Sequence, residues 1–249
     1  MARSFTALSG ISRNRLAETV TPLEPIGGAW ALAAVAPLGV TLLVITAGYA
    51  VGGGTDPGFP PHFPTLCYGV ANVAVVAALF AAWERERFEV VARFRRPSRR
   101  EVATGLVATV VGVVVGWPAT TVLADGLGVA RYTPPTLTTT AGILAVGFGA
   151  VVVAPVAEEI LYRGLLVGLG LERGHGPLAV GVASLIVFAV AHVFTGGVAG
   201  VLNALLLGSL LTWLRLRFDN LVGAWLLHAL NNLLELLVGL ALVPSLYAL

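Results

Sequence analysis

The sequence has no lysine: all fifteen of its basic residues are arginine, a bias that points to a GC-rich, prokaryotic source. Cysteine is reduced to Cys67, so one chain can build neither a disulfide nor a Cys-based metal site. Charge is scarce as well. Only 11% of residues are charged, against 57% hydrophobic and a mean hydropathy of +0.89, whereas an ordinary soluble domain carries about a quarter charged residues. That balance excludes a soluble globular class, and a net charge of +2 gives no footing for a nucleic-acid partner. Familiar hydrolase signatures are missing too: there is no His-Glu-x-x-His, no Gly-x-Ser-x-Gly and no Gly-x-Gly-Asp. Without a phosphate-binding Gly-rich loop, ATP-driven transport has no support.

What the chain does have is long apolar runs, and these predict an all-α, polytopic membrane helix bundle of about seven transmembrane helices around a cavity. Spans of about 20 residues fit the 249-residue length with short loops, as one membrane domain over 27–249. Residues 1–26 are expected to be a polar cytoplasmic tail with no cleavable leader. The predicted spans are roughly Gly28–Val51, Thr65–Trp83, Val102–Leu123, an apolar run from Thr136 to Leu171, Leu178–Thr195, Gly197–Leu214 and Leu221–Val243. A Gly/Pro-rich loop with Asp56 and His62 follows the first. The stretch Glu84–Glu101 holds seven Arg against four Glu, and the positive-inside rule puts it in the cytoplasm. The N-terminus is then inside, the C-terminus outside, and the membrane a prokaryotic plasma membrane. The favoured reading of those arginines is a topology determinant and no more, with contacts to anionic lipid headgroups as the secondary one.

Two small-residue patterns predict close helix approaches: Gly112 with Gly116, and the stripe Gly196, Gly200, Ala204 and Gly208. The 136–171 run is too long for one simple span and predicts a tilted helix or a joint near Pro155.

The most demanding stretch is Ala157-Glu158-Glu159-Ile160-Leu161-Tyr162-Arg163. An ionisable side chain near a bilayer centre costs about 2.5–3.5 kcal/mol, so three in one apolar run need partners or a function. Glu159 and Arg163 at i, i+4 can pair, while Glu158, turned about 100° away, is left without a local partner. Glu158 and Glu159 are not expected to face one target. Elsewhere in the spans stand His192, with Phe188 one turn before it, and the stripe His228, Asn232 and Glu235 at i, i+4, i+7. Asn231 faces another way.

A carboxylate, two imidazoles and an amide in a low-dielectric cavity are the parts for hydrolysis. Glu158 is the candidate general base toward a water held by His192 and His228, and Asn232 the candidate donor to an oxyanion. The same Glu158, His192 and His228 form a possible zinc ligand set with one position open for water. A different class, a proton-coupled transporter, would use these groups as a relay strung across the membrane.

The set Glu158-Glu159-x-x-x-Arg163, Phe188-x-x-x-His192 and His228-x-x-x-Asn232, in that order and in separate spans, resembles the CAAX-protease and bacteriocin-processing family of intramembrane endopeptidases. The signature covers about Val153 to Leu236, with a catalytic core at about 136–243. The resemblance implies a glutamate-activated water at Glu158 and His192, and an oxyanion site at His228 and Asn232. Glu159, Arg163 and Phe188 would be supporting residues. It also implies a peptide or membrane-tethered protein substrate and no required cofactor, zinc being the alternative. Glu235 lies outside the motifs.

Overall fold

In lipid every backbone N–H and C=O must be satisfied within the protein, so long apolar segments become helices. The computed structural model bears this out: its described residues, 13–54, 59, 63–134 and 136–248, form an all-helical bundle. Arg3, Asp56 and His62 lie outside them. The helices are labelled α1 (Arg13–Val20), α2 (Ala36–Val51), α3 (Phe63–Ala82), α4 (Arg85–Val91), α5 (Arg99–Gly126), α6 (140–172), α7 (Pro177–Ala191), α8 (Val193–Phe218) and α9 (Val222–Gly239).

Among the described residues five helices are long and apolar enough to cross a membrane: α3, α5, most of α6, α8 and α9. The tight 3₁₀ turn Gly28–Ala34 and α2 pass the same test together, bent by 52° between them, and make a sixth if the pair is one broken span rather than a re-entrant loop. Pro37 stands at the start of α2, and a proline there cannot continue the preceding turn's hydrogen bonds. The predicted fifth span is shorter than expected. Its helix α7 has 15 residues, or about 22 Å at 1.5 Å per residue, against a hydrocarbon layer of about 30 Å. The protein is therefore an integral membrane protein whose described residues hold five or six helical segments long and apolar enough to cross plus this shorter apolar helix, which does not confirm a count of seven.

The α7–α8 junction sets His192 at a corner between two helices. His192 ends α7 and begins α8, with φ/ψ of −81°/1°. The chain then kinks at Gly197, whose φ of +57° only glycine adopts without strain.

The long α6 is one helix with two π-wound stretches, Gly149–Val153 and Glu159–Leu166. The first ends two residues before Pro155, where a missing N–H and the ring's bulk loosen the ladder. The second carries Glu159, Tyr162 and Arg163, a placement usual for π-bulges, which gather at functional sites.

Packing follows an inside-out pattern. Val107, Val110, Val114 and Val115 of α5, and Leu42 and Leu43 of α2, face outward, as suits helices solvated by acyl chains. One buried cluster joins α1, α4 and the end of α6 around Leu23, Val91, Leu161 and Leu165. A second joins α6, α7, α8 and α9 around Tyr162, Phe188, Leu211 and Leu227.

One glycine expectation needs revision. In α5 the close approach is at Gly105, where a Cβ would lie 3.1 Å from the Gly223 carbonyl oxygen, while a Cβ on Gly116 would meet nothing within 4 Å. Gly164, not singled out in the sequence, is the tightest: a Cβ there would overlap the Val91 carbonyl. The stripe on α8 holds at its ends, since a Cβ at Gly208 would press on Leu185 and Phe188, and one at Gly196 on the Tyr132 ring.

The Arg-rich stretch is only partly a loop. Ser98 caps α5 by accepting from the Glu101 backbone N–H at 3.0 Å, the side-chain half of a capping box. Arg93, taken with its neighbours as a lipid contact, is instead buried against Asp219 at 2.8 Å, and Arg215 meets the same carboxylate at 2.7 Å. A single charge shared by two guanidiniums needs further acceptors, and the backbone carbonyls of Asp219 and Arg163 provide them.

Candidate active site

The site begins with α6. Glu158, Glu159 and Arg163 are all buried there, so each needs a partner from another helix or from its own. Glu159 accepts from Arg163 Nη1 at 3.1 Å, the i, i+4 pair expected from the spacing. Arg163 is further held by the Gly208 carbonyl at 3.4 Å and lies over the Phe188 ring, 3.9 Å from its centroid. A guanidinium on an aromatic face is an attractive contact where water is excluded.

Phe188 is the hub between helices. Besides Arg163 it touches His192 at 4.4 Å, Tyr162 at 5.4 Å and His228 at 5.8 Å between ring centroids. The ring–imidazole packing expected from the Phe188/His192 spacing is present. The Phe188 backbone adds a second hold, because its carbonyl oxygen lies 2.8 Å from His192 Nδ1. A carbonyl only accepts, so Nδ1 carries the proton and Nε2 of neutral His192 offers a lone pair.

His228, on α9, is fixed by a different acceptor. Its Nδ1 lies 2.9 Å from Glu159 Oε1, so this nitrogen too is protonated and Nε2 is turned away from Glu159. Both Nε2 atoms then meet the same target: His192 Nε2 is 3.9 Å and His228 Nε2 3.8 Å from Glu158 Oε2. Glu158 Oε2 is buried and makes no hydrogen bond to protein. Separations of this size are too long for a direct bond and suit one small polar molecule between the three groups.

One expectation is corrected here. Glu158 and Glu159 do face a common residue, because the imidazole of His228 presents a nitrogen on each of two edges and stands between them. The 100° step along the helix separates the carboxylates without separating their partner.

Asn232 is not drawn into this cluster by any contact. Its amide Nδ2 donates to the Ala150 carbonyl at 2.8 Å, in the first π stretch of α6. Asn231 is buried and bonded in a second polar group around Glu235. There Glu235 accepts from Tyr132 at 2.9 Å, Tyr247 at 2.9 Å, Asn231 at 3.1 Å and Asn203 at 3.3 Å.

Two residues beside the site escaped the sequence reading. The hydroxyls of Tyr68 and Tyr162 are 2.5 Å apart, both rings are buried, and Tyr68 lies edge-on to His192 at 6.5 Å. Tyr162 sits inside the Glu-Glu-x-x-x-Arg run, but Tyr68 lies 94 residues away with nothing local to mark it.

The donor types Glu158, His192 and His228 are those of a catalytic zinc site, yet the spacing does not fit one. Ligands of a tetrahedral zinc with bonds near 2.0–2.1 Å stand about 3.3 Å apart, and the Nε2–Oε2 separations exceed that by about half an ångström. Among the described residues no group of three or more His, Cys, Asp or Glu is arranged to hold a metal ion.

Comparison with known proteins returned one family and nothing closer. Searches of curated proteins and of solved structures each gave no match. The family model described as type II CAAX prenyl endopeptidase Rce1-like matches residues 140–234. That segment contains Glu158, Glu159, Arg163, Phe188, His192, His228 and Asn232, so the part of the chain that builds the site is similar to that protease family.

Proposed function

We propose that the protein is an intramembrane endopeptidase in which Glu158 activates water for attack on a peptide bond. The observation that carries this reading is the convergence of His192 Nε2 and His228 Nε2 on Glu158 Oε2 at 3.9 and 3.8 Å.

Each proton has a place. A water between the groups donates to His192 Nε2 and to Glu158, and Glu158 takes its proton as the water oxygen bonds to the substrate carbonyl carbon. The carbonyl oxygen becomes an oxyanion. His228 in its imidazolium form, supported by the Glu159 carboxylate on Nδ1, donates to that oxygen from Nε2, and the Asn232 amide supplies a second donor. Glu158 then returns the proton to the amine as the carbon–nitrogen bond breaks. Charges balance across the site, with Glu159 shared between Arg163 and His228. The mechanism requires no metal.

The substrate is a peptide or a membrane-tethered protein segment that reaches the site within the bilayer. A proton relay for transport would string these groups along the membrane normal, and their gathering around one carboxylate oxygen favours hydrolysis instead. The N-terminus is assigned to the cytoplasm by the arginines of 84–101, in one membrane domain whose catalytic part is about 136–243.

The test is cleavage of internally quenched peptides, with and without a farnesyl group on the acceptor cysteine, by purified protein in liposomes. Cleavage that Glu158→Gln abolishes supports the reading. Cleavage that survives this substitution overturns it.

A further inference from the structure

The second polar group sits one residue from the proposed oxyanion donor, and its hydrogen bonds have a direction. Trp117 of α5 donates its indole N–H to Asn231 Oδ1 at 3.0 Å. An indole N–H can only donate, so this contact decides which end of the Asn231 amide is oxygen. The NH₂ group of Asn231 must then face the other way, where it meets Glu235 Oε1 at 3.1 Å and Asn232 Oδ1 at 3.4 Å. A carboxylate only accepts, so Glu235 demands the same orientation from the opposite side.

The polarity passes to the next residue. With its oxygen turned toward the Asn231 NH₂, Asn232 must present its own NH₂ in the opposite direction, and there it donates to Ala150 O at 2.8 Å. An amide NH₂ has two hydrogens, and Ala150 takes one. Asn232 therefore meets two protein partners of opposite character, one at each end, and cannot flip without facing N–H against N–H and carbonyl against carbonyl. Glu235, a carboxylate inside α9 outside the motifs, acquires a use here: its remaining donors Tyr132, Tyr247 and Asn203 hold it in place.

We propose that Trp117, Asn231 and Glu235 are positioning residues that fix the Asn232 amide with its N–H donors, and not its oxygen, on the side of α6. This rests on the proposed oxyanion role of Asn232. Without these residues the Ala150 carbonyl alone would favour this orientation, and the flipped amide, which sets an oxygen lone pair against the developing negative charge, would be more populated.

Two readouts separate this inference from the function it serves. The first needs no activity: the side-chain ¹⁵NH₂ resonances of Asn232, identified by their loss in Asn232→Ala, are followed in detergent-solubilised, Asn-labelled protein. Trp117→Phe keeps an aromatic ring and removes the N–H, and Asn231→Asp replaces the NH₂ by oxygen. Both are expected to shift or broaden those resonances, and unchanged resonances in both overturn the proposal. The second readout is cleavage of the quenched farnesylated peptide. Trp117→Phe is expected to lower kcat about 3- to 30-fold with KM unchanged, and to cause no further loss in the Asn232→Ala background. Equal losses in both backgrounds would show a general structural role and also overturn it. If Glu158-dependent cleavage is not seen at all, the endopeptidase reading fails, and the orientation of Asn232 is decided by its resonances alone.

Discussion

His228 stands between two carboxylates, with Nδ1 2.9 Å from Glu159 Oε1 and Nε2 3.8 Å from Glu158 Oε2. The shorter contact is a hydrogen bond that fixes the ring, and the longer one leaves room for a reacting molecule. The two adjacent glutamates thus have different work, and they should respond differently to the same substitution.

Glu158→Gln removes a carboxylate whose Oε2 bonds to no protein group. A loss of kcat of about 10²- to 10⁴-fold is expected, the usual contribution of a general base, with the melting temperature unchanged or raised. Peptide cleavage and thermal unfolding on one preparation check both halves. A stable variant with full activity would refute the role of Glu158.

Glu159→Gln strips the anion from Arg163 and from His228 Nδ1. Leaving a buried guanidinium uncompensated costs about 3–5 kcal/mol. The variant is expected to melt well below the parent protein and to be inactive, the opposite stability outcome to Glu158→Gln. Equal melting curves for the two glutamine variants would contradict the assignment.

The separation of the Glu158 and histidine donors is too wide for a tetrahedral zinc. Dialysis against EDTA or phenanthroline is expected to leave cleavage unchanged, and elemental analysis of active protein to find less than one zinc per ten chains. Loss of activity on chelation, restored by zinc, would replace the water-activation scheme with a metal one.

Gly164→Ala sets a methyl group against the Val91 carbonyl at the crossing of α4 with α6. Backbone cannot yield as a side-chain end can, so a loss of several kcal/mol or failure to fold is expected, as for severe overpacking. At Gly116, where a Cβ would meet nothing within 4 Å, the same exchange should be neutral or slightly stabilising. Yield and melting temperature of the pair make the comparison.

The bundle's class was legible in the linear chain because lipid leaves helices as the way to satisfy an apolar backbone. The Glu159–Arg163 pair and the Phe188–His192 packing were legible because they are one turn apart, and helical geometry alone brings such residues together. Composition and period could not show that α7 ends after 15 residues, since that depends on the corner at His192 and Gly197. Nor could they show that one imidazole reaches both glutamates.

Arg93 illustrates the limit: within a run of arginines nothing distinguishes the one that folds inward onto Asp219, 126 residues away. Tyr68 beside Tyr162, and Trp117 on Asn231, are long-range pairings of the same kind. The sequence by itself determined which residues must be helical, which of them are buried at a cost and which lie one turn apart, because these follow from local geometry and the solvent. Only the tertiary structure decided which ring nitrogen meets which carboxylate and which way the Asn231 amide points, because a hydrogen bond's direction is set by the partner that another helix brings.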